Sequence, residues 1–122
     1  MSQGATGRAI NEMVESQLPG RTNGPADAYR HILLAAELTR RYGEAQAWIL
    51  LNGHEFTGDL GGQNPDAKAM DDHNNQLGID LGNQLRQDPF NTGWNDVVNG
   101  ARILMNPDNG NGETARWLPE TS

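Results

Sequence analysis

The chain reads as an all-α protein, a compact single domain of about five helices with a Gly-rich loop between the third and the fourth. Three observations lead there. Apolar residues recur at three- and four-residue spacing in five separate stretches. Gly, Pro and Asn punctuate the intervals where helices should start and stop. The alternating runs that announce strands are nearly absent. With 122 residues and no Cys, one modest core is affordable without disulfides, so residues 1–122 form one domain. The chemistry-bearing stretch lies at about 24–87 and a turn-rich tail at 106–122.

The first helix runs from about Thr6 to Leu18, with Ile10, Met13, Val14, Gln17 and Leu18 on one face and Pro19-Gly20 as its stop. The second is the best defined. Asn23 or Gly24 caps it, Pro25 suits its first position, and Asp27 places negative charge in the first turn. Its core face is Tyr29, Ile32, Leu33 and Ala36, with Arg40 and Arg41 in the last turn and Gly43 as the stop. The third, EAQAWILLNGHE, is apolar nearly all round and is expected to be central. FTGDLGGQN then reads as loop. Asn64 caps a fourth helix beginning at Pro65, whose stripe is Met70, Leu77, Leu81 and Leu85. A fifth, capped near Thr92, shows Trp94, Val97, Val98, Ala101 and Leu104. The tail NPDNGNGETARWLPE is turn-rich, with one turn of helix expected at its end. Its Gly110 and Gly112 stand where a calcium loop needs oxygen ligands, which excludes that site.

The stretch MDDHNNQL at 70–77 places polar side chains on the buried stripe: His73 and Asn74 fall on it between Met70 and Leu77. Buried without partners, an imidazole or an amide costs about 1–3 kcal/mol, so partners are expected. Gly78 and Gly82 follow Asn74 at four-residue intervals and predict a close approach to the helix backbone. All three histidines have a carboxylate nearby in sequence. Asp27 and His31 share a helix face at i, i+4, Glu55 follows His54 before the Gly-rich loop, and His73 follows Asp71 and Asp72.

Two chemistries compete for these residues, against the plain alternative that the polar cluster only specifies the fold. One is metal-assisted hydrolysis, with zinc or a pair of divalent ions on His31, His54 and His73 together with Asp27, Glu55, Asp71 or, first among them, Asp72; the HE at 54–55 lacks the second His of HExxH. The other needs no cofactor. Glu55, at the end of an apolar helix, acts as general acid with a second carboxylate from Asp59, Asp71 or Asp72, helped by His31, as glycoside hydrolysis requires.

Composition narrows the partners. The net charge is −7 with nine Lys and Arg, which disfavours a polyanion such as nucleic acid. The N-terminal stretch has no apolar signal region and no run approaches membrane-span length. The expectation is synthesis in the cytoplasm without a signal peptide and no transmembrane segment.

GPADAYRH (24–31), LTRRYGEAQA (38–47), HE (54–55) and MDDHNNQLG (70–78) together resemble a family of small uncharacterised domains. That family's pattern is D-A-x-R-H, then an acidic residue after His or Asn, then M-D-x-x-N-N-x-x-G. Its members occur as stand-alone phage or bacterial proteins and at the C-termini of bacterial polymorphic toxins. The resemblance covers roughly residues 24–82. In the pattern, the positions matching His54 and His73 accept other residues, which weakens a shared three-histidine metal site. It implies Asp27 orienting His31, Glu55 as acid or base, and Asp71 with Asn74 positioning substrate or water. Asn75, His73 and His54 join the substrate-binding set, and Arg30 holds an anionic group or pairs with a carboxylate.

The resulting expectation is a hydrolase-type antibacterial effector or lysis protein. It would act by carboxylate/His chemistry on bacterial cell-envelope material, peptidoglycan glycan ahead of lipid-linked substrates, in the periplasm or target cell once exported or released, with an immunity protein as a possible partner. The alternatives are a metal-dependent phosphodiesterase and a non-enzymatic interaction or inhibitor module.

Overall fold

The computed structural model describes the backbone of residues 4–58, 65–90, 93–106 and 114–118, with side chains for all of these except 53–58. Five helices make up the domain: α1 (Ala5–Ser16), α2 (Pro25–Tyr42), α3 (Glu44–Gly58), α4 (Pro65–Gln87) and α5 (Trp94–Met105). No strand occurs among the described residues, and none of their helices is long and apolar enough to cross a membrane.

The ends of α2 follow from local chemistry. Gly24 is its N-cap with Pro25 next, and Gly43, at φ 92°, ends it and donates its N–H to the carbonyl of Thr39 at 2.8 Å. Between them α2 carries an unbroken buried run from Ile32 to Thr39 and packs against all four other helices. The central helix is therefore α2, and the expectation that α3 is central is corrected. Among the described side chains of α3 only Ala47 and Leu51 are fully buried, four residues apart on one line, while Ile49 is 65% exposed. Uniform apolarity hid a one-sided contact. The first helix also turns differently from expectation. Its buried line is Ala5, Ala9 and Met13, leaving Ile10 and Val14 exposed. Small alanines let α1 settle closely on α2, and the larger β-branched residues face outward.

Polar pairs give the helix directions. Tyr29 donates to Glu12 at 3.1 Å and Arg8 reaches Glu37 at 3.5 Å, so α1 runs antiparallel to α2. Burial pushes the Tyr29 phenol up to about 12, and it remains a donor at neutral pH. The α2–α4 pair is parallel. Asp27 lies by Asp71, His31 by Asn75, Ile32 and Ala35 by Gly78, Ala36 and Thr39 by Gly82, and Arg40 by Arg86. The two N-terminal ends therefore lie together, a placement that the loop between α3 and α4 has to permit.

The close approach expected at Gly78 and Gly82 is present, and α2 is what approaches. A Cβ on Gly78 would stand 2.5 Å from the carbonyl oxygen of Ile32 and 2.7 Å from Ala35 Cβ. Backbone cannot swing aside as a flexible side chain can, so Gly78→Ala must push the helices apart. We expect a net loss of about 2 kcal/mol, overpacking exceeding the gain in helix propensity. A lowered denaturant midpoint at unchanged slope checks it.

The fourth helix begins at Pro65 as expected and the fifth is capped by Gly93; Asn64 and Thr92 lie outside the described residues. Helix α3 extends to Gly58, so residues 56–58, expected as loop, are helical. Residues 59–64, the rest of that loop, lie outside the described residues. The tail segment 114–118 has no regular secondary structure, and the expected turn of helix is not found within it.

Candidate functional site

Two i, i+4 pairs face each other across the parallel helices: Asp27 and His31 on α2, Asp71 and Asn75 on α4. Because α2 and α4 share direction and register, both pairs land at one level. His31 Nδ1 lies 3.1 Å from Asn75 Oδ1. Its Nε2 lies 3.3 Å from Asp71 Oδ1 and 3.5 Å from Asp27 Oδ1. Asp27, His31 and Asp71 are each 6% exposed and Asn75 is fully buried.

Asp27 is held from two further sides. Arg30 donates to its Oδ1 at 2.7 Å, and the backbone N–H of Asn23 to its Oδ2 at 2.9 Å. Of the two tasks foreseen for Arg30, pairing with a carboxylate is the one seen here, with 23% of its side chain still exposed.

Acceptor oxygens thus stand opposite both ring nitrogens, Asn75 at Nδ1 and two carboxylates at Nε2. Three electron-rich atoms converge there, all within 4.8 Å of one another. Such a convergence is relieved by a second ring proton or by a cation. A tetrahedral ion with bonds of ~2.1 Å separates neighbouring ligand atoms by about 3.4 Å, and the two nitrogen–oxygen distances, 3.3 and 3.5 Å, lie close to it. The Asn75 contact on the far ring nitrogen is the kind of support that orients a ligating histidine.

The other candidates go elsewhere. His73 Nε2 lies 2.8 Å from the carbonyl oxygen of Thr114, and Asp72 pairs with Lys68 at 3.4 Å with half its side chain exposed. Of the residues offered for a metal, His73 and Asp72 are thus turned away from His31, since they project from other faces of α4 than Asp71, while Asp27 and Asp71 meet it. Asn74 is fully buried. It donates to the Arg116 carbonyl at 2.7 Å and accepts the Arg116 N–H at 2.8 Å, so its amide serves the tail. His54 and Glu55 lie in the last turns of α3 and their side chains are outside the described residues, as is Asp59.

A second polar cluster has no counterpart among the sequence candidates. Glu37 is completely buried and meets Arg40 at 2.7 Å, Arg41 at 3.1 Å and Arg8 at 3.5 Å. A signal existed: Tyr29, Leu33 and Glu37 fall on one line of α2, so the glutamate continues an apolar stripe.

A family model described as Domain of unknown function (DUF6973) matches residues 2–101. The chain belongs to this family. The match takes in α1 to α4 and most of α5, so both i, i+4 pairs of the His31 cluster lie inside the DUF6973 domain, while the tail segment at 114–118 lies beyond it. No solved structure matches the chain.

Proposed function

We propose that the protein is a hydrolase in which Asp27, His31 and Asp71 hold a divalent cation of the zinc class. The cation activates water against a phosphate ester or lipid-linked phosphate of the bacterial cell envelope. The observation that carries this reading is the convergence of His31 Nε2 with one oxygen from each aspartate, at distances near the edge of a tetrahedral ion. As a metal-free base, His31 has no ring nitrogen turned to a substrate, because both face protein oxygens. As a ligand, it needs only Nε2.

A cation held by these three residues would supply a water acidified toward neutrality as the nucleophile for phosphorus, the bond to the alcohol oxygen breaking as the new one forms and the water's proton passing to the departing oxygen. Arg30, on the rim of the cluster, suits the anionic substrate. The choice of an envelope substrate is supported by the net negative charge, which disfavours nucleic acid, and by the resemblance to toxin-borne and phage domains. Action would then be periplasmic, after export or release. The glycan reading rests on Glu55 as acid and predicts activity indifferent to metal.

One comparison tests the proposal. Purified protein is titrated with Zn2+ by calorimetry and with Co2+ by visible absorption, then assayed on phospholipid, lipid-linked pyrophosphate and peptidoglycan with and without chelator. Chelator-sensitive release of phosphate-bearing product, with the intense absorption of tetrahedral Co2+, is expected. Glycan cleavage that survives the chelator overturns the metal reading, and a chain that binds no cation and cleaves none of these overturns the enzyme.

A further inference from the structure

Segment 114–118 has no regular secondary structure and lies beyond the family match, yet it is pinned along its length. The Thr114 carbonyl faces His73, the Ala115 N–H donates to the Leu104 carbonyl at 2.9 Å, and both peptide groups of Arg116 bond the Asn74 amide. The Leu118 N–H then donates to the Asn23 carbonyl at 2.7 Å. Asn23 is the residue whose own N–H holds Asp27 Oδ2 at 2.9 Å. An unbroken path of hydrogen bonds thus leads from α4, through the tail, to a member of the His31 cluster.

Asn23 sits at φ 62°, in the left-handed region that asparagine enters more readily than other residues with a Cβ but still at some cost. Two bonds hold it there, Leu118 on the peptide after Asn23 and Asp27 on the peptide before it. We infer that the tail is a strap that sets Asp27, with Asn74 and Leu118 as positioning residues acting through Asn23. Asn74 suits that task, since one amide supplies the donor and the acceptor that a backbone peptide group requires. By linkage, a ligand held by Asp27 tightens the strap as much as the strap tightens the ligand.

The inference rests on Asp27 belonging to the site proposed above, and the test separates the two. Leu118→Pro removes the strap's last N–H, Leu118→Ala keeps it, and Asn74→Ala releases Arg116. Zn2+ affinity is measured well below each melting temperature. It is expected to fall roughly tenfold in Leu118→Pro and Asn74→Ala, the scale of lost support behind a metal ligand, and to stay unchanged in Leu118→Ala. The carboxyl carbon resonance of Asp27 and the amide of Asn23 should move in the first two variants only, whether or not Zn2+ binds. If the wild type binds no Zn2+ but these resonances move, the metal reading fails and the strap stands. Unmoved resonances with unchanged Zn2+ affinity overturn the strap. Should the variants not fold, hydrogen exchange on the wild type decides: slower exchange at Leu118 and Asn23 on adding Zn2+ supports the coupling, and unchanged exchange overturns it.

Discussion

Asp71→Asn is expected to weaken Zn2+ binding and lower turnover at least a hundredfold while leaving the melting temperature level or higher. The substitution keeps the shape of the side chain and removes its charge. Asp71 and Asp27 bring two carboxylates to one imidazole nitrogen, each 6% exposed, and like charges held together in a poorly hydrated place repel. Neutralising one relieves that repulsion but removes a ligand that asparagine replaces poorly. A site that costs stability for the sake of function behaves this way. Thermal melts alongside calorimetric titration check it. A large fall in melting temperature, with a wild type that binds no cation, would mark the cluster as a device for joining α2 to α4.

Glu37→Gln is expected to do the reverse, lowering stability by roughly 3 kcal/mol and the melting temperature by roughly 10 °C, with Zn2+ affinity retained below the transition. The carboxylate is fully buried and answers Arg8, Arg40 and Arg41. Gln offers one acceptor oxygen and no charge, leaving three largely covered guanidinium groups without their counter-ion. The cluster joins α2 to α1, on a different side of α2 from His31, so the site is not disturbed directly. Denaturant unfolding and the Zn2+ titration, run on one sample, separate the two roles. Unchanged stability would show the guanidinium groups turning to water instead.

The contrast between these clusters shows what could be read ahead of the structure. Asp27 and His31 were legible as a pair because four residues along a helix make neighbours whatever the tertiary context. The same rule aligns Asp71 with Asn75. The Gly78 and Gly82 spacing announced an approach, although not the approaching helix. Glu37, followed by Arg40 and Arg41, looks like an ordinary solvated pattern. Its place on the line of Tyr29 and Leu33 hinted at burial, but its partner Arg8, 29 residues away, is one that no local spacing reveals. Asn74 was read toward substrate because its residue type suits that, yet its partners are the backbone atoms of Arg116, and backbone carries no residue-type signal.

Helix existence, the caps of α2 at Gly24-Pro25 and Gly43, and the two polar pairs were determined by the sequence alone, because each depends on bonds and spacings within a turn or two. Which helix became central, the parallel run of α2 beside α4 and the meeting of His31 with Asp71 were decided by packing. Those outcomes turn on which faces fit closely enough to exclude water. Fit of that kind is a property of two surfaces together, and neither helix encodes it by itself.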